Sequence, residues 1–148
     1  MIRAVPESVF SWRFRFEQNG QQVGGCAYNF WTEEGEISIN GRHGQIKKHG
    51  MMSGRWTVDG TGIEAHKPSA LFRSFDIQSP QGNFELRAAS PLTREFEIVG
   101  AGINGQISPE HFMTRKATIA LHGVDEMTVA FAFWLVGLCW KRQAKNNS

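Results

Sequence analysis

"MTVAFAFWLVGLCW", Met127–Trp140, is the stretch whose reading decides the fold. It carries no charge, and Thr128 is its only conventional polar side chain. Asp125 and Glu126 bound it on one side, and Lys141 and Arg142 on the other. As a helix, 14 residues span about 21 Å, well short of the roughly 30 Å hydrocarbon core of a bilayer. Burial inside protein is therefore the expected fate, with a tail anchor as the alternative. The flanks are built like helix ends. Asp125 suits an N-cap, whose side-chain oxygen accepts from an orphan backbone N–H. Val124 and Val129 stand at the spacing of a hydrophobic staple. Lys141, Arg142 and Lys145 complement the negative end of the dipole. The predicted helix covers about 125–143.

The chain before it reads as strand after strand. In "VFSWRFRFEQNG" Phe10, Trp12, Phe14 and Phe16 alternate with Ser11, Arg13, Arg15 and Glu17. That is the period of two expected of a strand with one dry face and one wet face. Asn19-Gly20 follows as a hairpin turn, since both positions tolerate positive φ. Weaker alternation recurs in "GEISING", "GRWTVDG", "RSFDIQSPQG", "NFELRA", "REFEIVGAGING" and "ATIALHG". Asn40-Gly41, Asp59-Gly60, Pro80 to Gly82 and Asn104-Gly105 supply the turn signals. Turns about every ten residues are the rhythm of an all-β barrel or sandwich. No linker, low-complexity segment or fixed-length repeat interrupts them.

A helix apolar all round needs protein on every side. A single sheet covers one face, and a two-sheet sandwich leaves no room. A closed barrel can enclose it, but an eight-stranded barrel is filled by its own side chains. From Ser8 to Val124, about ten residues per strand and turn give roughly 11 to 12 strands. The expectation is one mainly β domain over 1–148, a closed antiparallel barrel of roughly 12 strands at about 8–124, enclosing the C-terminal helix.

That order of elements resembles the tubby-like superfamily: tubby C-terminal domains, LURP-one-related proteins and phospholipid scramblases. The likeness is closest in "ISPEHFMTRKATIALHGVDEMTVAFAFWLVGLCWKR", Ile107–Arg142, a last pair of strands, a short acidic cap and an apolar helix closed by a basic pair. The compact length is most similar to the LURP-one-related branch. The resemblance implies a twelve-stranded barrel threaded by its C-terminal helix. It also implies, from the tubby branch, phosphoinositide binding at a basic surface. No run of alternating carboxylates precedes the helix, which departs from the calcium segment of scramblases, and no pocket residue is carried over.

Composition narrows the chemistry. The chain has 148 residues, 41% hydrophobic and 20% charged, with 16 Lys+Arg against 14 Asp+Glu for a formal net charge of +2. This is globular composition with no nucleic-acid signature. Cys26 and Cys139 lack metal spacing, and Cys139 reads as a small buried thiol. With no disulfide framework and no signal-like N-terminus, a cytoplasmic location is expected. Five histidines form no helix-spaced pair or zincin pattern, and no G-x-S-x-G occurs. "GAGING", Gly100–Gly105, matches G-x-G-x-x-G, but Pro109 interrupts the helix such a fingerprint needs. It reads as a glycine-rich bend.

The densest basic stretch is "GRHGQIKKHG", with Arg42, His43, Lys47, Lys48 and His49 among three glycines. Glycines let a backbone approach an anion, and cations beside exposed N–H groups suit phosphate. These five, extended by Arg13 and Arg15, form the candidate site for an anionic head group. The plain alternative is a solvated hairpin whose lysines protect an edge. No catalytic residue, metal ligand or cofactor is assigned. The functional expectation is a non-enzymatic domain, peripheral to the membrane, binding anionic phospholipid or phosphoinositide head groups or a protein partner. An enzyme or small-ligand carrier using the barrel mouth, and a tail-anchored protein, are the alternatives.

Overall fold

The computed structural model describes residues 1–50, 54–68, 73–111 and 114–146. Twelve antiparallel strands close into one barrel, followed by a single helix. The strands are β1 (Ile2–Pro6), β2 (Phe14–Gln18), β3 (Gln21–Asn29), β4 (Glu34–Ile39), β5 (Arg42–Lys48) and β6 (Arg55–Val58). They continue as β7 (Ile63–His66), β8 (Ser74–Ser79), β9 (Gly82–Ala88), β10 (Phe96–Gly100), β11 (Ile103–Pro109) and β12 (Ala117–His122). Each pairs with its sequence neighbours, and β1 closes the ring on β12 with Ile2 opposite Ile119.

The first strand lies further upstream than the alternation around Phe10 implies. β1 begins at Ile2, and β2 begins only at Phe14. Phe14 and Phe16 face the core as expected, whereas Phe10 is 92% exposed and belongs to the connection between β1 and β2. Asn19-Gly20 and Asn40-Gly41 are the two-residue turns expected, with positive φ at all four positions. Asn104-Gly105 is not a turn. It lies inside β11, and the chain reverses instead at Ala101-Gly102. Gly105 serves the sheet: a Cβ there would stand 1.9 Å from the Ala120 carbonyl oxygen.

The helix, α1 (Glu126–Asn146), starts one residue later and ends three residues later than predicted. Every residue from Met127 to Trp140 is buried, around the whole circumference. This is the enclosure that an uninterrupted apolar run demands. Aromatic contacts fix its rotation. Phe133 meets Phe14 and Phe16 edge-on at 5.0 and 5.8 Å, and Trp134 stacks on Tyr28 at 4.9 Å. The indoles of Trp134 and Trp140 donate to the carbonyls of Ala27 and Arg94 at 3.0 and 2.9 Å, so neither buried N–H is wasted. Two glycines set how near helix and wall come. A Cβ at Gly137 would overlap the Tyr28 hydroxyl at 2.0 Å, and one at Gly35 would press on the Trp134 indole at 2.7 Å.

The N-terminal cap is as expected. Asp125 Oδ1 accepts from the Thr128 backbone N–H at 2.9 Å and from its hydroxyl at 2.6 Å. One carboxylate thus satisfies both the third helical amide and the only polar side chain in the buried run. Among the described residues no helix is long and apolar enough to cross a membrane, which corrects the tail-anchor alternative.

Helix and barrel are therefore one cooperative unit. Burial of Phe131, Phe133, Trp134, Leu135 and Leu138 is worth roughly 1.5–3 kcal/mol each, together comparable with the whole stability of a typical domain. A chain ending at Val124 should lose its near-UV circular dichroism and precipitate or turn molten. Leu135→Asp, which buries an unpartnered carboxylate, should do nearly the same. A monomeric, cooperatively melting 1–124 fragment would refute this account of the core.

Candidate functional site

Strand direction sorts the molecule into two unlike ends. Because β1 to β12 alternate up and down, residues 19–20, 40–41, 59–62, 80–81, 101–102 and 123–125 gather at one end, where α1 enters. Residues 7–13, 30–33, 49–50, 54, 67–68, 73, 89–95, 110–111 and 114–116 gather at the other, where α1 emerges. The first end has short turns and the second has longer loops.

The basic stretch proposed from sequence is distributed by the strand it forms. All five residues lie on or beside β5, whose alternation sends neighbours to opposite faces. Arg42 sits at the turn end, facing the helix cap, 3.5 Å from Asp125. Lys48 sits at the loop end and turns inward, 2.7 Å from Glu33 and over the Trp56 ring. The two are about 20 Å apart along the strand. His43, Lys47 and His49 alternate onto the outer face, with Lys47 3.5 Å from Asp59 and the His49 ring 2.6 Å from the Thr57 hydroxyl. Gly44, read as making room for an anion, faces the core instead. Its missing side chain makes room for Val58 and Met127.

Arg15 pairs with Glu17 at 2.8 Å on the outer wall. Arg13 is the one candidate that meets others. It borders a groove of about 490 Å³ with His43 and a second of about 370 Å³ with Lys47. Both grooves also carry carboxylates: Glu7 and Glu36 in the first, Glu34 and Glu36 in the second. Their mixed sign suits no anion in particular.

The described cysteines and histidines gather no chemistry. Burial pushes the Cys139 thiol up to about 11 and the Cys26 thiol higher still, so neither is a thiolate near neutrality. Among the described residues no three His, Cys, Asp or Glu side chains stand close enough to hold a metal. "GAGING" is the end of β10, a turn and the start of β11.

Charge concentrates at the loop end. Its connections and the emerging helix segment 141–146 carry Arg13, Lys67, Arg73, Arg94, Arg115, Lys116, Lys141, Arg142 and Lys145 against Glu7, Glu33, Glu95 and Glu110, a balance of +5. The turn end carries Asp59 and Asp125 and no Lys or Arg in its turns. Three of the arginines are built into the architecture. Arg73 donates to the carbonyls of Ser90, Pro91 and Thr93. Arg94 donates to those of Thr114 and His111. Arg115 donates to those of Ser8, Val9 and Ser11 and lies 4.7 Å over the Trp12 ring. Each cation thus holds the next loop round the rim, and the positive charge is fixed in place.

Glu33 locks the helix to this end. Its carboxylate accepts from Arg142 Nε at 2.7 Å and from Lys48 Nζ at 2.7 Å, and its carbonyl accepts from the Trp56 indole at 2.9 Å. Glu33 holds φ at +56°, a conformation uncommon outside glycine and asparagine. Burial would raise its carboxyl pKa, but the hydrogen bonds and charges of Arg142 and Lys48 prevail and hold it at about 2. Sequence reasoning missed this residue, because its partners lie 15 and 109 positions away. The chain matches no protein-family model, no characterised protein and no solved structure, so the site is read from its own geometry.

A carboxyl lowered from 4.5 to about 2 stabilises the fold above pH 4.5 and stops doing so as pH falls through 2. After discounting for solvent screening, the lock is worth about 1–2 kcal/mol at neutral pH. Glu33→Gln should lower Tm at pH 7 and lose less stability than the native chain between pH 4.5 and 2. Parallel pH profiles for the two proteins would show that the lock contributes nothing.

Proposed function

We propose that this barrel is a non-enzymatic module, peripheral to membranes, that sets its loop end against an anionic phospholipid surface. The carrying observation is the sorting of charge along the barrel axis: +5 at the loop end, in a molecule whose formal net charge is +2. Such an asymmetry turns the molecule in the field of an anionic leaflet, where each Lys or Arg near the surface is worth about 1 kcal/mol. The helix C-terminus adds roughly half a negative charge at this end, which the cations outweigh.

The tubby-like resemblance supports the same reading, since a closed twelve-stranded barrel with a buried C-terminal helix is the architecture it implies. The cation set differs from the one expected from the sequence. The rim replaces the Arg42–His49 stretch, whose Arg42, Lys47 and Lys48 are matched by the carboxylates of Asp125, Asp59 and Glu33. A carrier function at the barrel mouth requires interior space that α1 fills. A protein partner on the same end is the competing occupant.

Sedimentation with vesicles of phosphatidylcholine and phosphatidylserine tests the proposal. The wild-type chain should bind at low salt, prefer the serine-containing vesicles and weaken as salt shortens the Debye length. Lys116→Glu with Lys145→Glu, both exposed rim positions, should cost at least about tenfold in partitioning. Lys48→Glu would be a poor test, because it sets a carboxylate against Glu33 and damages the fold. Wild-type protein that ignores phosphatidylserine vesicles at low salt would end this reading.

A further inference from the structure

Large apolar side chains stand in water at the same end as the charge. Among the described residues Val9 is 82% exposed, Phe10 92%, Trp31 98% and Leu92 92%, and all four lie in loop-end connections. Among the other described residues Met1 is 77% exposed and Val99 47%. Scattered exposed apolar residues need no explanation; four large ones on one basic rim do.

Their presentation follows a shared loop design. In four loop-end connections the N–H of the first residue closes on the carbonyl of the seventh at 2.9 Å: Glu7 on Arg13, His49 on Arg55, Ala89 on Glu95 and Glu110 on Lys116. In three of them the hydroxyl at the fifth position, Ser11, Thr93 or Thr114, accepts from the N–H of the seventh at 3.0 Å. The fifth N–H in turn donates to the second carbonyl, at 3.1, 3.4 and 3.1 Å. The loop satisfies much of its backbone at its own base, and the arginine clamps engage more carbonyls from the side. The third and fourth positions form the tip. They are Val9-Phe10 and Pro91-Leu92 in the two loops whose tips are described. By sequence the same positions in the other two hold Met51-Met52 and Phe112-Met113, which lie outside the described residues.

A loop with its backbone satisfied can enter a low-dielectric interface without stranding many polar groups. Cations fixed just behind apolar tips match the layering of a leaflet, with phosphate outside and acyl chain beneath. We infer that Phe10, Leu92 and Trp31 penetrate the acyl boundary of an anionic bilayer while the rim arginines and lysines stay at phosphate depth. The inference rests on the proposed docking to anionic phospholipid and adds insertion to it. A protein partner would meet the same tips, and the test separates the two.

The probes are phosphatidylcholine/phosphatidylserine vesicles, plain or brominated along the acyl chain. Trp31 is the most exposed of the described tryptophans and serves as reporter. Brominated vesicles should quench it, and Trp31→Phe should remove the quenching. Binding should persist in part at salt that screens the charge. Phe10→Ser with Leu92→Ser should cost at least about tenfold in partitioning, at an unchanged melting temperature, since both side chains are exposed in the folded state. Binding that salt abolishes completely, without quenching and with the double variant equal to wild type, would overturn insertion and leave electrostatic docking intact. No binding to either vesicle would overturn both and leave a protein as the occupant of the rim.

Discussion

The constraint on which everything else depends is a helix with no polar side. From Met127 to Trp140 each side chain must meet protein, and only a ring of strands supplies protein in every direction. Ring size follows. Eight strands would leave no axial space, whereas twelve leave enough for a helix. The wall then adapts to its filling. It narrows at Gly35, where the Trp134 indole would collide with any side chain, and at Gly44, where Met127 and Val58 take the space. The helix yields in its turn at Gly137, where the Tyr28 ring lies across it. Within the buried run the polar atoms are matched at close range: the Thr128 hydroxyl by the capping Asp125, and the indoles of Trp134 and Trp140 by the carbonyls of Ala27 and Arg94.

Enclosure also makes the two ends of the barrel chemically different. The helix enters through a sharp reversal at Gly123, whose φ is +97° and whose Cβ would strike the Gly102 carbonyl at 2.3 Å. That end carries the positive pole of the helix dipole and is dressed with Asp125 and Glu126. The other end receives the negative pole together with Lys141, Arg142 and Lys145, and so becomes cationic. Short turns close the first end. The second must let a helix out, and its longer loops are tied down by arginines that reach from one loop to the next. The charge asymmetry on which the functional reading rests is thus partly a by-product of stabilising a threaded helix.

Legibility in the sequence followed locality. The apolar run, its capping aspartate and the Asn19-Gly20 and Asn40-Gly41 turns are local signals, and they appear where expected, whereas Asn104-Gly105 carries the same dipeptide signal inside β11. The short first strand was invisible because "IRAVP" offers too few positions to show a period. Phe10 was misplaced because period two continues by chance from the strand into the loop before it. The basic stretch looked like a cluster only in one dimension, since a strand parts adjacent residues between two faces and its ends by its length. Glu33 escaped because its role is made by residues distant in the chain. A signal for the loop tips does exist. "VFS", "MMS", "PLT" and "FMT" each place two apolar residues before a hydroxyl, a pattern visible only once seven-residue loops are the unit of comparison.

Closure of the barrel constrains how such a chain reaches its native state. The bond between first and last strands, Ile2 opposite Ile119, joins segments near opposite ends of the chain, and the helix follows the last strand. Bulky side chains project from the helix on all sides, so it cannot be threaded into a finished ring. The sheet must instead close around it, and β1 against β12 is the seam with the largest sequence separation. Most of the apolar burial then arrives with non-local contacts, which favours slow and strongly cooperative folding. The lock at Glu33 adds a further non-local contact. It ties the emerging helix to the β3–β4 connection through Arg142 and to β5 through Lys48, on the wall to which α1 packs most closely. The same contact keeps the helix end, with its cations, fixed at the rim.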